Sequence, residues 1–189
     1  GMGADVTIVD RSLDRLRELD AIYRGRLKTL YSSDQIIEQL LQHVDLVIGA
    51  VLIPGGAAPK LINRNMLKLM KKGSVIVDVA VDQGGMAETT KPTTHSDPVY
   101  IVDDVVHYCV SNMPGAAPRH ATKALTNATY PFAIALADRG YKKALLENTH
   151  LSNGLNVFKG RVTNEPVAKA LGFDYISPKT VLEADLALD

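Results

Sequence analysis

The sequence predicts an α/β fold built on a largely parallel sheet, and two features of the 189 residues carry that reading. Apolar runs of strand length alternate with helical patterns from residue 5 to about residue 140, the signature of βαβ units. One run, Ile76-Val77-Asp78-Val79-Ala80-Val81, then breaks into Asp82, Gln83, Gly84 and Gly85. In open α/β sheets ligands bind outside the carboxyl ends of parallel strands, so an acid followed by two glycines there points at a site. Glycine lets the backbone turn and lets a ligand come close. Asp82 as a plain turn-former is the bland alternative.

The elements follow in order. Asp5 to Asp10 is a strand, and Ser12 then caps a helix in which Leu13, Leu16, Leu19 and Tyr23 share a face. Leu27 to Tyr31 is the second strand. Ser32 and Gln35 have the spacing of a capping box ahead of Ile36, Ile37, Leu40 and Leu41. Asp45 to Val51 is the third strand, closed by Pro54, Gly55 and Gly56. Asn63 caps a helix carrying Met66, Leu67 and Met70, which ends at Lys71, Lys72 and Gly73. Ser74 to Val81 is the fourth strand. Val105 to Val110 is the fifth, reached through a polar loop (Glu88 to Pro98) and a short apolar approach (Val99 to Val102). Pro118 opens a long helix with Ala121, Leu125, Ala128, Phe132 and Leu136 on one face and a kink expected near Pro131. Beyond Gly140 come short helices, Tyr141 to Glu147 and Glu165 to Leu171 among them, joined by Asn/Gly turns. We expect two parts: residues 1–140 as the α/β portion and 141–189 as a helical tail that packs on a neighbouring domain or subunit.

Composition excludes several function classes. Acidic and basic residues number 21 each, the formal charge is zero, and no basic run with interleaved aromatics suggests a nucleic-acid partner. The single cysteine, Cys109, cannot form an internal disulfide and suits a reducing compartment. No segment reaches the roughly 18 to 20 apolar residues of a membrane span. No signal peptide is visible, so a cytoplasmic location is the expectation. His95, His107 and His120 lack metal-ligand spacing, and no metal is expected.

Asp10, ending the first strand, stands where a dinucleotide fold binds the adenosine ribose hydroxyls. An acid there favours NAD and repels the 2′-phosphate of NADP, although the adjoining Arg11 offsets part of that repulsion. Such folds carry a G-x-G-x-x-G turn about 20 residues earlier. Only nine residues precede Asp10. The expected fold is therefore a Rossmann-type parallel sheet lacking its first strand and glycine-rich loop, followed by C-terminal helices. In the order 3-2-1-4-5-6 that strand is central, so the strands on either side must pair with each other, recruit a strand or separate.

The segments GMGADVTIVD, SLDRLRELD, AVLIPGGAAPKLI, VIVDVAVDQGG, ETTKPTTH, HYCVSNMPGAAPR and ALTNATYPF resemble the NAD-dependent alanine dehydrogenases, with weaker similarity through LSNGLNVFKGRVTNEPVAKALG. The match covers nearly all of this chain and about the second half of the family's length. Transhydrogenase α subunits share the PGG-x-APKLI-type loop and SVIVD strand, but typically carry Gln-Asn where this chain has Asp82-Gln83. The resemblance implies reversible oxidative deamination of L-alanine to pyruvate and ammonia, with NAD as cofactor. It further implies a homo-oligomer, hexameric in the family, and an N-terminal half, supplied in cis or in trans, that holds the substrate-binding Arg and Lys and the catalytic His.

Residue by residue, the resemblance places the adenosine-binding acid on Asp10, a basic contact on Arg15 and a ribose- or adenine-side serine on Ser32. Val51 and Leu52 match a backbone wall against the cofactor. Val79, Ala80, Val81 and Asp82 match the segment under the nicotinamide ribose, with Asp82 as the catalytic acid. Val110, Ser111, Asn112 and Met113 match the nicotinamide side. Lys91 stands for a family Arg, keeping charge but losing the bidentate fork, and Met86-Ala87 replaces a more typical Cys-Phe pair as a packing change. Ordinary structural roles compete: Ser32 as a helix cap, Arg15 as the partner of Glu18, and Val51, Leu52, Val79 and Val110 as core. Two function classes remain open at this point, a portion of a working dehydrogenase that is inactive by itself, and a non-catalytic nucleotide-binding remnant or transhydrogenase-like module.

Overall fold

A computed structural model of the chain describes residues 1–53 and 56–187. The chain divides into two units, Gly1–Ala50 with Pro59–Ser111 and Val51–Ala58 with Asn112–Asp189. Pro54 and Gly55, expected to close the third strand, lie outside the described residues.

The first unit holds the first six strands. β1 (Thr7–Asp10) leads into α1 (Leu13–Tyr23), whose Ser12 cap accepts from the Arg15 amide at 3.2 Å and whose Leu16 is buried. β2 (Lys28–Tyr31) returns parallel to β1, pairing Thr7 with Lys28 and Asp10 with Tyr31. In α2 (Asp34–Leu41) the cap is Ser33, whose hydroxyl accepts from the Ile36 amide, and not Ser32 as the spacing suggested. Ser33 has the extended backbone an N-cap needs, so its hydroxyl reaches the amide three residues on.

β3 (Leu46–Gly49), β4 (Val75–Asp78), β5 (Val99–Val102) and β6 (Val105–Tyr108) form a four-stranded sheet in the order β3-β4-β6-β5. β3, β4 and β6 are parallel, and β5 is antiparallel to β6. The sheet is thus mixed rather than purely parallel, and the approach Val99 to Val102 is itself a strand. The joining residues Asp103 (φ 50°) and Asp104 (φ 64°) both have positive φ, the requirement of a two-residue hairpin turn whose twist suits the flanking strands. β4 also stops sooner than expected, at Asp78, and the chain continues into a 3-10 turn at Val81–Gln83. Between β3 and β4 a 3-10 helix, Arg64–Leu69, is capped by Asn63, which accepts from the Met66 amide at 3.1 Å.

Ile76, Ile62, Leu67 and Val105 are fully buried in this unit. Withdrawing each such side chain from water contributes roughly 1.5–3 kcal/mol before the entropy of ordering it is deducted. β1–β2 is a separate two-stranded sheet, and among the described residues β1 does not pair with β3. Of the outcomes open to these two strands, closing up on each other is not the one adopted.

In the second unit α3 (Pro118–Arg139) begins at Pro118 and carries Pro131 in its interior. Its apolar stripe is not core: Leu125 is 65% exposed and none of its described residues is buried. α4 (Tyr141–Glu147), α5 (Thr149–Asn153), α6 (Glu165–Leu171) and α7 (Pro178–Leu186) follow. A hairpin of β7 (Val157–Phe158) and β8 (Arg161–Val162) lies within them, turning at Lys159 and Gly160, again with positive φ. Leu145, Val181 and Leu182 make a small core with Leu151, Leu155, Phe158 and Ile176 against it. Asp185, buried, pairs with Lys142 at 2.9 Å and with Lys159, and the Lys159 bond leads in holding its carboxyl below the usual range.

Candidate functional site

The turn after β4 is organised by a carboxylate inside the protein. Asp78 has no exposed surface, and three donors converge on it: the Ala80 amide on Oδ1 at 3.0 Å, and the Met86 amide and Thr90 hydroxyl on Oδ2, each at 2.7 Å. A buried charge needs such partners to offset lost hydration. By taking the Ala80 amide, Asp78 ends the strand and turns the apolar stretch Val79–Val81 out of the sheet. The Gln83 and Gly85 amides both donate to the Ala80 carbonyl, at 2.9 and 3.0 Å.

Gly84 (φ 92°) and Gly85 (φ 75°) take left-handed conformations that side chains resist. At Gly85 a Cβ would stand 2.5 Å from Thr90 Cγ2 and 2.8 Å from Asp78 Oδ2, so glycine is required both by angle and by space. Lys60 Nζ donates to the carbonyls of Gly84 (2.5 Å), Gly85 (3.0 Å) and Ala87 (3.0 Å). The Leu61 amide reaches the Met86 carbonyl at 2.7 Å, and the Glu88 amide reaches the Ile62 carbonyl at 2.9 Å. Met86 itself is buried where a Cβ on Gly49 would be, 2.3 Å from Met86 Cγ.

Asp82 rides on this turn with its side chain exposed. Among the described residues no hydrogen bond or ion pair engages its carboxylate. It is therefore available to exchange a proton or to meet a cation. Val79, on the same turn, is 51% exposed, whereas Ala80 and Val81 are buried. Val110 is buried after β6, and the half-buried Ser111 donates its amide to the Thr93 carbonyl at 3.1 Å. Lys91 sits with Nζ 4.7 Å from the Tyr100 ring centre and donates its amide to the Tyr100 hydroxyl at 2.8 Å. Burial is the chief cause that raises the Tyr100 phenol and the neighbouring Cys109 thiol above their ordinary values.

On the other sheet, Asp10 ends β1 exposed and accepts from the Ser12 amide at 2.7 Å. The Ser32 amide donates to the Asp10 carbonyl at 2.9 Å, which sets these two residues side by side at the carboxyl ends of β1 and β2. Arg15 lies one helical turn on and pairs with Glu18 at 2.5 Å, both exposed. Val51, Leu52, Asn112 and Met113 belong to the second unit. Leu52 is 66% exposed, Val51 and Met113 are half-buried, and Asn112 is left-handed (φ 58°). The structure thus groups Asp10, Arg15 and Ser32 around the β1–β2 sheet and Val79–Asp82, Lys91, Val110 and Ser111 around the four-stranded sheet. Leu52 and Val79 are not core, whereas Val110 is.

The profile of the alanine dehydrogenase/PNT C-terminal domain matches residues 1–165. The chain belongs to this family. It is 56% identical over 182 residues to an alanine dehydrogenase of Halomonas elongata, covering 96% of this chain and 49% of that protein. With alanine dehydrogenase 2 of Staphylococcus aureus it shares 54% identity over 184 residues, 97% of this chain and 50% of that protein. The chain spans about half the length of these curated relatives. A solved L-alanine dehydrogenase superposes with a TM-score of 0.78 at 46% identity, over 90% of this chain and 47% of the other. A solved transhydrogenase from Sinorhizobium meliloti gives 0.52 at 31%, over 60% and 32%. For this alanine dehydrogenase/PNT domain the family reading and the α/β fold agree.

Lys60, Asp78 and Thr90 had no role in the sequence reading. One signal for Asp78 was present: a carboxylate inside an otherwise apolar strand must find partners or lose its charge.

Proposed function

We propose that this chain is the NAD-binding portion of an alanine dehydrogenase that interconverts L-alanine with pyruvate and ammonia. The observation that carries the reading is the Asp82 carboxylate, unpartnered among the described residues and held on a braced turn just beyond the carboxyl end of β4.

The residues present suit NAD. Asp10 offers an exposed carboxylate for ribose hydroxyls next to Ser32, and Val79 is an apolar side chain left exposed beside Asp82. We assign the adenosine side to Asp10, Arg15 and Ser32. The nicotinamide side falls to Val51, Leu52, Val79, Ala80, Val81, Asp82, Lys91, Val110, Ser111, Asn112 and Met113. NAD, when bound, supplies the acceptor for the hydride that leaves the alanine α-carbon.

Asp82 then moves protons: it takes one from the substrate ammonium as the imine forms and handles those of the water that adds to it. The carboxylate clamp and the catalytic histidine are expected from the remaining half of the enzyme, as is a homo-oligomeric assembly. We accordingly assign residues 1–140 to nucleotide binding and 141–189 to packing against the substrate domain. The enzyme is read as cytoplasmic; no helix among the described residues is long and apolar enough to cross a membrane.

A transhydrogenase-like nucleotide-binding module is the second reading, favoured by the 31% identity to the Sinorhizobium meliloti protein. Asp82→Asn separates the two. This chain, completed by the half of the Halomonas elongata enzyme that it does not match, should lose about 10²-fold or more in kcat for alanine on that change. The KM for NAD should stay close to the parent value, because the amide keeps the shape. A near-parental kcat returns Asp82 to the status of a turn residue.

A further inference from the structure

Two charged side chains outside the assigned site act on one short segment. Lys60 gives its ammonium to the carbonyls of Gly84, Gly85 and Ala87. Asp78 takes the amides of Ala80 and Met86 and the hydroxyl of Thr90. One therefore binds the carbonyls of residues 80–90 and the other binds its donors. An ammonium has three N–H groups and all three are accounted for, so Lys60 has none left for a ligand. Asp78 has no exposed surface at all. Both side chains are engaged with the turn itself.

The segment needs bracing for a physical reason. Gly84 and Gly85 are consecutive, both left-handed, and cost more backbone entropy to order than any other residue pair would. Asp82 lies two residues before them on a 3-10 turn of only three residues, Val81–Gln83, whose Ala80 cap makes no side-chain hydrogen bond. A proton-transfer group on such a turn would wander, and a misplacement of about 1 Å can cost on the order of 10²-fold in rate. Side chains that fix the turn convert a flexible loop into a rigid mount.

We propose that Lys60 and Asp78 are positioning residues for Asp82, fixing the 80–90 turn so that its carboxylate is held in one place. The inference rests on the reading of Asp82 as the proton-transfer group. Lys60 is exposed and replaceable without opening the core, whereas Asp78 is fully buried, so Lys60→Met carries the test and Asp78→Asn serves as a second variant.

In the 189-residue chain, Lys60→Met should speed amide hydrogen exchange at Gly84, Gly85 and Met86 by about tenfold or more while Val106 in the sheet keeps its parental rate. Unchanged exchange at these three amides overturns the proposal. In the completed enzyme, Lys60→Met should lower kcat by about tenfold or more, with the KM for NAD within about threefold of the parent. Placed on Asp82→Asn, the same change should cost nothing further, because the group it positions is gone. A kcat loss that persists undiminished in the Asp82→Asn background overturns the positioning role and leaves Lys60 a stabilising contact. Asp82→Asn with parental kcat instead sinks the reading of Asp82 itself, and is recognised before Lys60 is touched.

Discussion

At the residue scale, Asp10 and the Ser32-Ser33 pair show how a single hydrogen bond fixes a structural role. The Asp10 carboxylate turns back onto its own chain, Oδ1 accepting from the Ser12 amide, and stays exposed. Asp10→Asn keeps an acceptor for that amide and removes the charge. In the completed enzyme it should narrow the preference for NAD over NADP, since repulsion of the 2′-phosphate is lost. An unchanged NAD/NADP ratio of kcat/KM would count against Asp10 at the ribose. Ser33, not Ser32, caps α2, so Ser33→Ala should lower stability in urea unfolding by about 1 kcal/mol. Ser32→Ala should cost distinctly less, because Ser32 does not cap α2. Equal losses from the two would contradict this division. Arg15 gives the opposite lesson: its ion pair with Glu18 follows from helical spacing alone.

Elements were legible where periodicity decides and illegible where a single side chain overrides it. α1, α4 and α6 are helical where the spacing of their apolar residues requires it. β4 read as running through Val81 because Val79–Val81 is apolar. Its true end is set by Asp78 capturing the Ala80 amide, a tertiary decision that no window of hydrophobicity contains. The β5–β6 hairpin was hidden because Asp103-Asp104 lacks the glycine that usually marks a two-residue turn. Arg64 binds Asp103 through two nitrogens at 3.0 and 3.2 Å, and Lys72 meets Asp104 at 3.0 Å.

Inside β6 lies His107, buried, bonded to the Thr89 hydroxyl through Nε2 at 2.8 Å and facing the Val105 carbonyl through Nδ1 at 3.0 Å. Tyr100 stacks on it with ring centres 5.0 Å apart. Loss of hydration is the main cause that lowers its pKa below the usual 6.5, against the Val105 bond and the charges of Asp78 and Asp103. The folded state then binds a proton less readily than the unfolded state. Its contribution to stability is complete above 6.5 and is lost as pH falls below that value. The urea midpoint should drop between about pH 7 and about pH 5.5, and His107→Gln should flatten that segment of the curve. An identical slope in the variant would assign the acid sensitivity elsewhere.

At the scale of the whole molecule, the parallel crossovers of the first unit were readable from strand order and spacing, because βαβ units leave few alternatives. The division of the first unit's strands into two sheets was readable only as a conflict. Thr7–Asp10 and Leu46–Gly49 were expected to need a neighbour, and in the structure each pairs on one side only among the described residues. β4, by contrast, is flanked by β3 and β6 and carries the fully buried Ile76. A two-stranded sheet is marginal in water unless something packs on it, and here α1 buries only Leu16 beside it. Unpaired backbone groups along an inner edge cost about 1–3 kcal/mol each where water is excluded. The cheapest response is for that edge to stay wet and the pair of strands to open often. Amides of Thr7–Asp10 and Lys28–Tyr31 should therefore exchange with solvent well before those of Val75–Asp78 and Val105–Tyr108 in this chain. Supplying the unmatched half of the Halomonas elongata relative should slow the first group and barely change the second, since β4 already has both neighbours. If Thr7–Asp10 is as protected as Val75–Asp78 in the monomeric chain, the two-stranded sheet is self-sufficient and its open edge is no weakness.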